Sequence, residues 1–277
     1  MRKIITLFVL FLALAAFAQK KEKVKGSKIV KLEQKQVENF ESLEVEDNLE
    51  VFLVKGNECA LEIEADDNLI EFVQYKLTGK NLRISTSKDL SSYKKLSVRV
   101  TYDDKFNMVI AKDETNVTTL SDVVLDIVTF KSYDYSKLFV TAKTKNFTLM
   151  ANDKSKIELN LKSEKTAIDI SKSGYVKALI SSGEMKFDMY QKSSADIEGD
   201  ILDLKLRLDN NTDFNGKKLT ANNALVETSG YSKCSINISN IATVDASGNS
   251  EIELYGEPKI DLKRFTESTT LRKKPIK

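Results

Sequence analysis

The chain has 277 residues, 41% of them apolar and 30% charged, with 43 Lys and Arg against 41 Asp and Glu, two Cys, and no His or Trp. That length can bury a large core, and the near-balanced charge argues against a nucleic-acid groove. The absence of His excludes a histidine base and a histidine metal site.

Residues 1–18 are predicted as a secretory signal. Arg2 and Lys3 precede an apolar run that closes on Ala16-Phe17-Ala18, a small-x-small cleavage pattern before Gln19. A membrane anchor is the weaker reading, because the run is short and the polar segment QKKEKVKGSK follows it. Without Arg2 and Lys3 the chain is formally neutral. Export to the periplasm, outer-membrane surface or extracellular space is therefore expected, with no transmembrane segment in the mature chain. Cys59 and Cys234 would then meet oxidising conditions. Each lies in its own alternating apolar run, which favours two separately buried thiols over a disulfide.

A polar lead is expected over 19–36, and an amino-terminal β region or cap over 37–123. Short runs such as Leu43-Glu44-Val45, Leu61-Glu62-Ile63 and Leu96 to Val100 alternate apolar and polar residues between Asn- and Gly-containing breaks, the pattern of half-buried strands and tight turns. Asp67 to Lys76 also has helical apolar spacing, although Phe72, Val73 and Tyr75 suit a strand. The acidic pairs Glu46-Asp47, Asp66-Asp67 and Asp103-Asp104 lack the oxygen spacing of a calcium loop and read as solvated turns.

From 124 to 256 apolar positions recur every 19 residues. One column is Phe130, Leu149, Ile168, Phe187, Leu206, Leu225 and Val244; a second is Leu138, Ile157, Val176, Ala195 and Phe214, interrupted at Lys233 and restored at Ile252. A one-residue bulge in the turn before Cys234 would account for the interruption. Polar segments such as KSYDYSK, MANDKSK and DASGNSE align between the columns as turns. A fixed period places like side chains one above another in coils about 4.8 Å apart, so seven coils would span roughly 34 Å. Nothing obliges the hairpins of an antiparallel sandwich to keep one length. The predicted fold is therefore all-β, a stacked β-helix-like solenoid of seven coils, followed by a basic tail over 257–277.

No Gly-rich phosphate loop, nucleophile elbow or Cys cluster is present, so no catalytic residue, cofactor or metal is predicted. The outward column Glu158, Lys177 and Asp196 alternates in sign, which would favour register slightly. Asp169, Asp188 and Arg207 form the only pattern favouring a polysaccharide-active site, and an exposed charge ladder explains them as well. Tyr133, Tyr135, Tyr175, Tyr190 and Tyr231 lie in or beside successive turns and are the candidate surface contacts.

The segment VENFESLEVEDNLEVFLVKGNECALEIEADDNLIEFVQYKLTGKNLRIS, then LSVRVTYDDKFNMVIAKDETNV, then Ser-, Gly- and Asn-rich turns ending in ASGNSEIELYG, resembles the secreted head GIN domain family, the autotransporter-adhesin type common in Bacteroidetes. The resemblance covers nearly all of 37–256 and implies a β-helix-like fold, an envelope or surface location and adhesin character. It brings no active residue. Turns such as NDKS from Asn152 and DNNT from Asp209 replace the family's usual Ser-Gly, so a ligand tied to those glycines would not transfer. The expected function is a noncatalytic, adhesin-like protein with an envelope protein or glycan as partner. A polysaccharide-active enzyme and a self-assembling module, which would make a homo-oligomer, are the alternatives.

Overall fold

The computed structural model describes residues 21–275. The signal expected over 1–18 lies outside them. The chain is a β-solenoid of about nine turns, built from stacked parallel strands. Among the described residues no helix is long and apolar enough to cross a membrane.

Each regular coil is one long bent strand followed by a tight turn. In Lys137–Ala151, residues Leu138, Val140, Ala142, Thr144, Phe147, Leu149 and Ala151 are buried. The alternation changes phase at Lys145 and Asn146, two successive exposed residues, and Lys145 lacks a partner in the next coil. That phase change is the corner at which the strand turns while still burying its apolar positions. Lys156–Ile170, Tyr175–Tyr190 and Ser194–Asp209 repeat the plan in register at 19 residues.

The stack is longer than the seven coils expected over 124–256. Phe130 pairs with Val109, Val109 with Leu43, and Leu43 with Leu82. Leu138 pairs with Val117, Val117 with Val51, and Val51 with Val98. The region 37–123 thus carries both apolar columns onward, and no structural break falls at 123. Its outer strands are antiparallel: Val30–Gln36 on Ala60–Asp66, and Val73–Thr78 on Asn81–Thr86. The supposed polar lead therefore contains an edge strand, and the helical alternative for Asp67 to Lys76 reduces to a 3-10 turn at Ile70–Phe72. Val73 and Tyr75 there pair with Thr86 and Ile84, as β-branched and aromatic residues favour.

The basic tail also carries strands, although every residue of Lys259–Phe265 is exposed. Lys259–Phe265 pairs in parallel with Ile241–Ala246, and Thr270–Lys273 with Glu251–Leu254. Its apolar residues Ile260, Leu262 and Leu271 extend the columns that end in Ala242, Val244 and Ile252. Asp261 separates the first two, and Lys263, Arg264 and the polar run to Thr270 set Leu271 apart, so no long alternation shows in the sequence.

One column differs from its sequence reading. Leu206 stacks on Val226, and Leu225 lies on the other face beside Lys205. The extra residue enters in the Asp213–Thr228 coil: Asp196 pairs with Asn215, but Glu198 pairs with Lys218. The next coil is shorter, so Val226 meets Val244 and the phase is recovered. The slip therefore precedes the turn to which the sequence assigned it.

The turns share one backbone requirement. Asp113, Asp134, Asp153, Lys172, Gln191, Asn210, Gly230, Gly248 and Glu267 occupy corresponding positions, and all have φ between 52° and 77°. This left-handed region disfavours a Cβ, and Asp and Asn bear it better than most residues. Asp and Asn can therefore replace the family's glycines without changing the path of the turn.

The acidic pair Asp66-Asp67 is not a solvated turn. Asp66 is fully buried, and its carboxylate accepts backbone N–H bonds from Lys28, Lys94 and Lys95 at 2.8–3.0 Å. Cys59 and Cys234 are both buried free thiols, as the alternating runs around them suggested.

Candidate functional site

The outward positions of the solenoid form columns as regular as the inward ones. Phe139, Glu158, Lys177 and Asp196 stack in one; Thr141, Asn160, Leu179 and Glu198 stack in the next, two residues along each strand. Between them runs a shallow groove of about 530 Å³, floored by Val140, Leu159 and Ala178 and bounded by Thr118 and Thr119 at one end. The floor residues point inward, so solvent reaches only their edges.

Two large apolar side chains stand on this outward face, Phe139 at 39% and Leu179 at 53% exposure. Glu158 and Lys177 are adjacent in register, yet the expected ion pair does not form, and neither they nor Asn160 has a side-chain hydrogen bond or ion pair among the described residues. Asp196 is held differently, accepting from the Tyr175 hydroxyl and the Asn215 amide, each at 2.7 Å. The centre of the groove thus offers an unengaged carboxylate, amide and ammonium between two exposed apolar groups.

A second groove of about 500 Å³ lies on the other half of the coils, over Phe147, Thr166, Met185 and Leu204. Its polar groups are largely engaged with one another. Lys165 pairs with Glu184 at 3.2 Å, Lys186 with Asp188 at 2.7 Å, and Asn223 donates to Asp203 at 2.9 Å. The first groove is therefore the better prepared to bind a ligand.

The five tyrosines do not converge. Tyr133 and Tyr190 share a turn position three coils apart, roughly 14 Å; Tyr135 and Tyr231 share another five coils apart, roughly 24 Å. The Tyr135 ring packs under Lys154, with the ammonium 4.9 Å from its centroid and 2.9 Å from its hydroxyl. Tyr190 lies 5.5 Å from the Arg207 guanidinium carbon, and Tyr231 is exposed. Only Tyr175 borders the first groove, two residues before Lys177. Burial first, then the hydrogen bond to Asp196, pushes its hydroxyl up to about 12.

Phe139, Asn160 and Leu179 were not singled out from the sequence. The signal was local: Leu138-Phe139-Val140 and Ala178-Leu179-Ile180 each interrupt a period of two with an apolar residue at the outward position. Such a triplet also suits a strand buried on both faces, and only the neighbouring coils distinguish the cases.

Asp169, Asp188 and Arg207 occupy three successive rungs of a further outward column. They line neither groove. Asp188 is paired with Lys186, and Arg207 packs on Tyr190 instead of bridging the two carboxylates. Among the described residues no group of three or more His, Cys, Asp or Glu is placed to hold a metal ion.

The fold is found in solved structures of low sequence identity. A putative adhesin from Parabacteroides merdae ATCC 43184 matches with a TM-score of 0.64 at 15% identity, over 91% of this chain and 99% of its own. A putative adhesin from Parabacteroides distasonis ATCC 8503 matches at 0.62 and 15%, over 91% and 100%. A putative lipid binding protein from the same organism matches at 0.64 and 11%, over 91% and 99%. No curated protein matches the chain. A family model described as "Putative auto-transporter adhesin, head GIN domain" matches residues 39–258, a span that takes in both apolar columns and the groove between Thr118 and Glu198. The chain therefore belongs to the head GIN domain family.

Proposed function

We propose that the chain is a noncatalytic, adhesin-like protein of the cell envelope or surface, exported by its amino-terminal segment, which holds an extended protein or glycan against the groove between Phe139 and Leu179. The observation that carries this reading is the exposure of those two side chains around the unengaged Glu158, Asn160 and Lys177. Exposed apolar groups set among a few free polar ones are what a recognition surface needs. The coil spacing offers a matching contact about every 4.8 Å along an extended ligand. Many such weak contacts add without any reaction chemistry.

The test is binding of the mature chain to a panel of envelope proteins and glycans, together with surface labelling of intact cells. Phe139→Ser with Leu179→Ser should abolish the selected binding while leaving the far-UV circular dichroism unchanged. Binding that survives the double substitution would move the site away from this groove. No ligand across the panel and no label on cells would count against adhesion itself.

A further inference from the structure

Asp169 and Asp188 are direct partners on adjacent parallel rungs, about 4.8 Å apart along the stack. Met150, on the rung before Asp169, brings no charge, and Arg207 follows Asp188. Lys186, on the same face of the same strand as Asp188, places its ammonium 2.7 Å from Asp188 Oδ2. Arg207 is turned toward the Tyr190 ring. Lys205, beside Arg207, is directed toward Glu227 at 3.9 Å.

The other carboxylate oxygen, Asp188 Oδ1, has no partner. It is buried, in a side chain only 8% exposed, and accepts no hydrogen bond among the described residues. A buried acceptor left unpaired is costly, and two neighbouring carboxylates do not both ionise readily with a single ammonium between them. A proton carried by the adjacent acid would satisfy the oxygen and remove one of the two charges. A metal cation fits less well, because Lys186 already holds the other oxygen.

We propose that the protonated Asp169 carboxyl is the missing donor to Asp188 Oδ1, so that this face carries one negative charge until Asp169 loses its proton and two thereafter. Burial first, and then the charge of Asp188, holds the Asp169 carboxyl above its ordinary range, with Lys186 opposing. The groups facing the pair are Lys186, Tyr190, Arg207 and Lys205. Lys186 and Lys205 also line the second groove, so loss of the proton changes the field along that groove's edge.

Carbon-13 carboxyl NMR of the full chain, titrated through the acid range, tests the proposal without any substitution. The expected result is that the Asp169 signal titrates above the ordinary midpoint of an aspartate. An Asp169 signal that titrates at or below that midpoint would overturn it. Asp188→Asn should move the Asp169 midpoint to lower pH. An Asp169 midpoint that does not move in a folded Asp188→Asn variant would also overturn it.

Discussion

Gly248 lies directly over Gly230 in the column of turns, and a methyl group at Gly248 would come within 2.6 Å of the Gly230 carbonyl oxygen. The contact is with backbone, so no side chain can move aside. Gly248→Ala is expected to cost about 2–4 kcal/mol, from the left-handed φ and from overpacking against the coil before it. Gln191 holds the corresponding turn position with φ 53°. Gln191→Gly should stabilise by about 0.5–1 kcal/mol, the relief of φ strain exceeding the added freedom of the unfolded chain. Urea denaturation of the two variants should shift in opposite directions.

Buried hydroxyls near the turns differ in whether they are satisfied. Ser232 donates to the Ser229 carbonyl at 2.7 Å and accepts from Thr212 at 3.1 Å. Among the described residues the Ser155 and Ser193 hydroxyls have no partner, and the position between them in the column is Gly174. Ser232→Ala should cost about 1–3 kcal/mol, because it leaves the Thr212 hydroxyl unpaired. Ser155→Ala should fall within about 0.5 kcal/mol of the parent, since it removes a group that makes no bond. Equal losses in denaturation midpoint would refute the assignment.

Acid should loosen the amino-terminal coils through Glu46. Burial pushes its carboxyl up, but Arg83 at 2.5 Å and Lys112 at 3.0 Å outweigh burial and hold it at about 2, against an ordinary 4.5. A depressed folded value means stabilisation that is complete above pH 4.5 and is lost as the pH falls toward 2. Glu46→Gln should be less stable at pH 7 and should show a flatter decline across that window. A parent and variant with parallel pH profiles would contradict this.

The two thiols should stay reduced and unreactive in the folded chain. Cys234 stacks between Phe214 and Ile252 and is 1% exposed, and burial pushes its thiol up. A thiol reagent at pH 8 should find neither cysteine before denaturation and both after it. Cys234→Ser should destabilise by about 1–3 kcal/mol, because a hydroxyl would enter an apolar column. Cys234→Ala should cost less than a comparable Leu truncation, since little volume is lost.

The solenoid was legible in the sequence wherever side-chain period and chain period agreed. Leu138, Ile157 and Val176 repeat at one interval and do form a single column. Legibility failed where a coil gained or lost residues: Leu225 has the right chemistry and the wrong face, because the insertion near Gly216 is compensated only in the following coil. It failed again at the carboxyl end, where Ile260 and Leu262 stand alone among charged residues and Leu271 follows only after a polar run. Tyrosine content pointed to the turns, yet Phe139 and Leu179 lie on a strand face. Whether an apolar triplet such as Leu138-Phe139-Val140 is covered on both faces or on one depends on neighbours whole coils away, which no local window contains.

The 19-residue interval makes the length of this molecule a discrete quantity. Excising residues 157–175 would set Val176 directly on Leu138 and Lys177 beneath Phe139, shortening the rod by one step of about 4.8 Å with every inside residue still inside. Excising one residue fewer would bring Tyr175 to that interior place and turn the remaining coils inside out. The reach of the protein can therefore be changed by whole repeats and by almost nothing smaller.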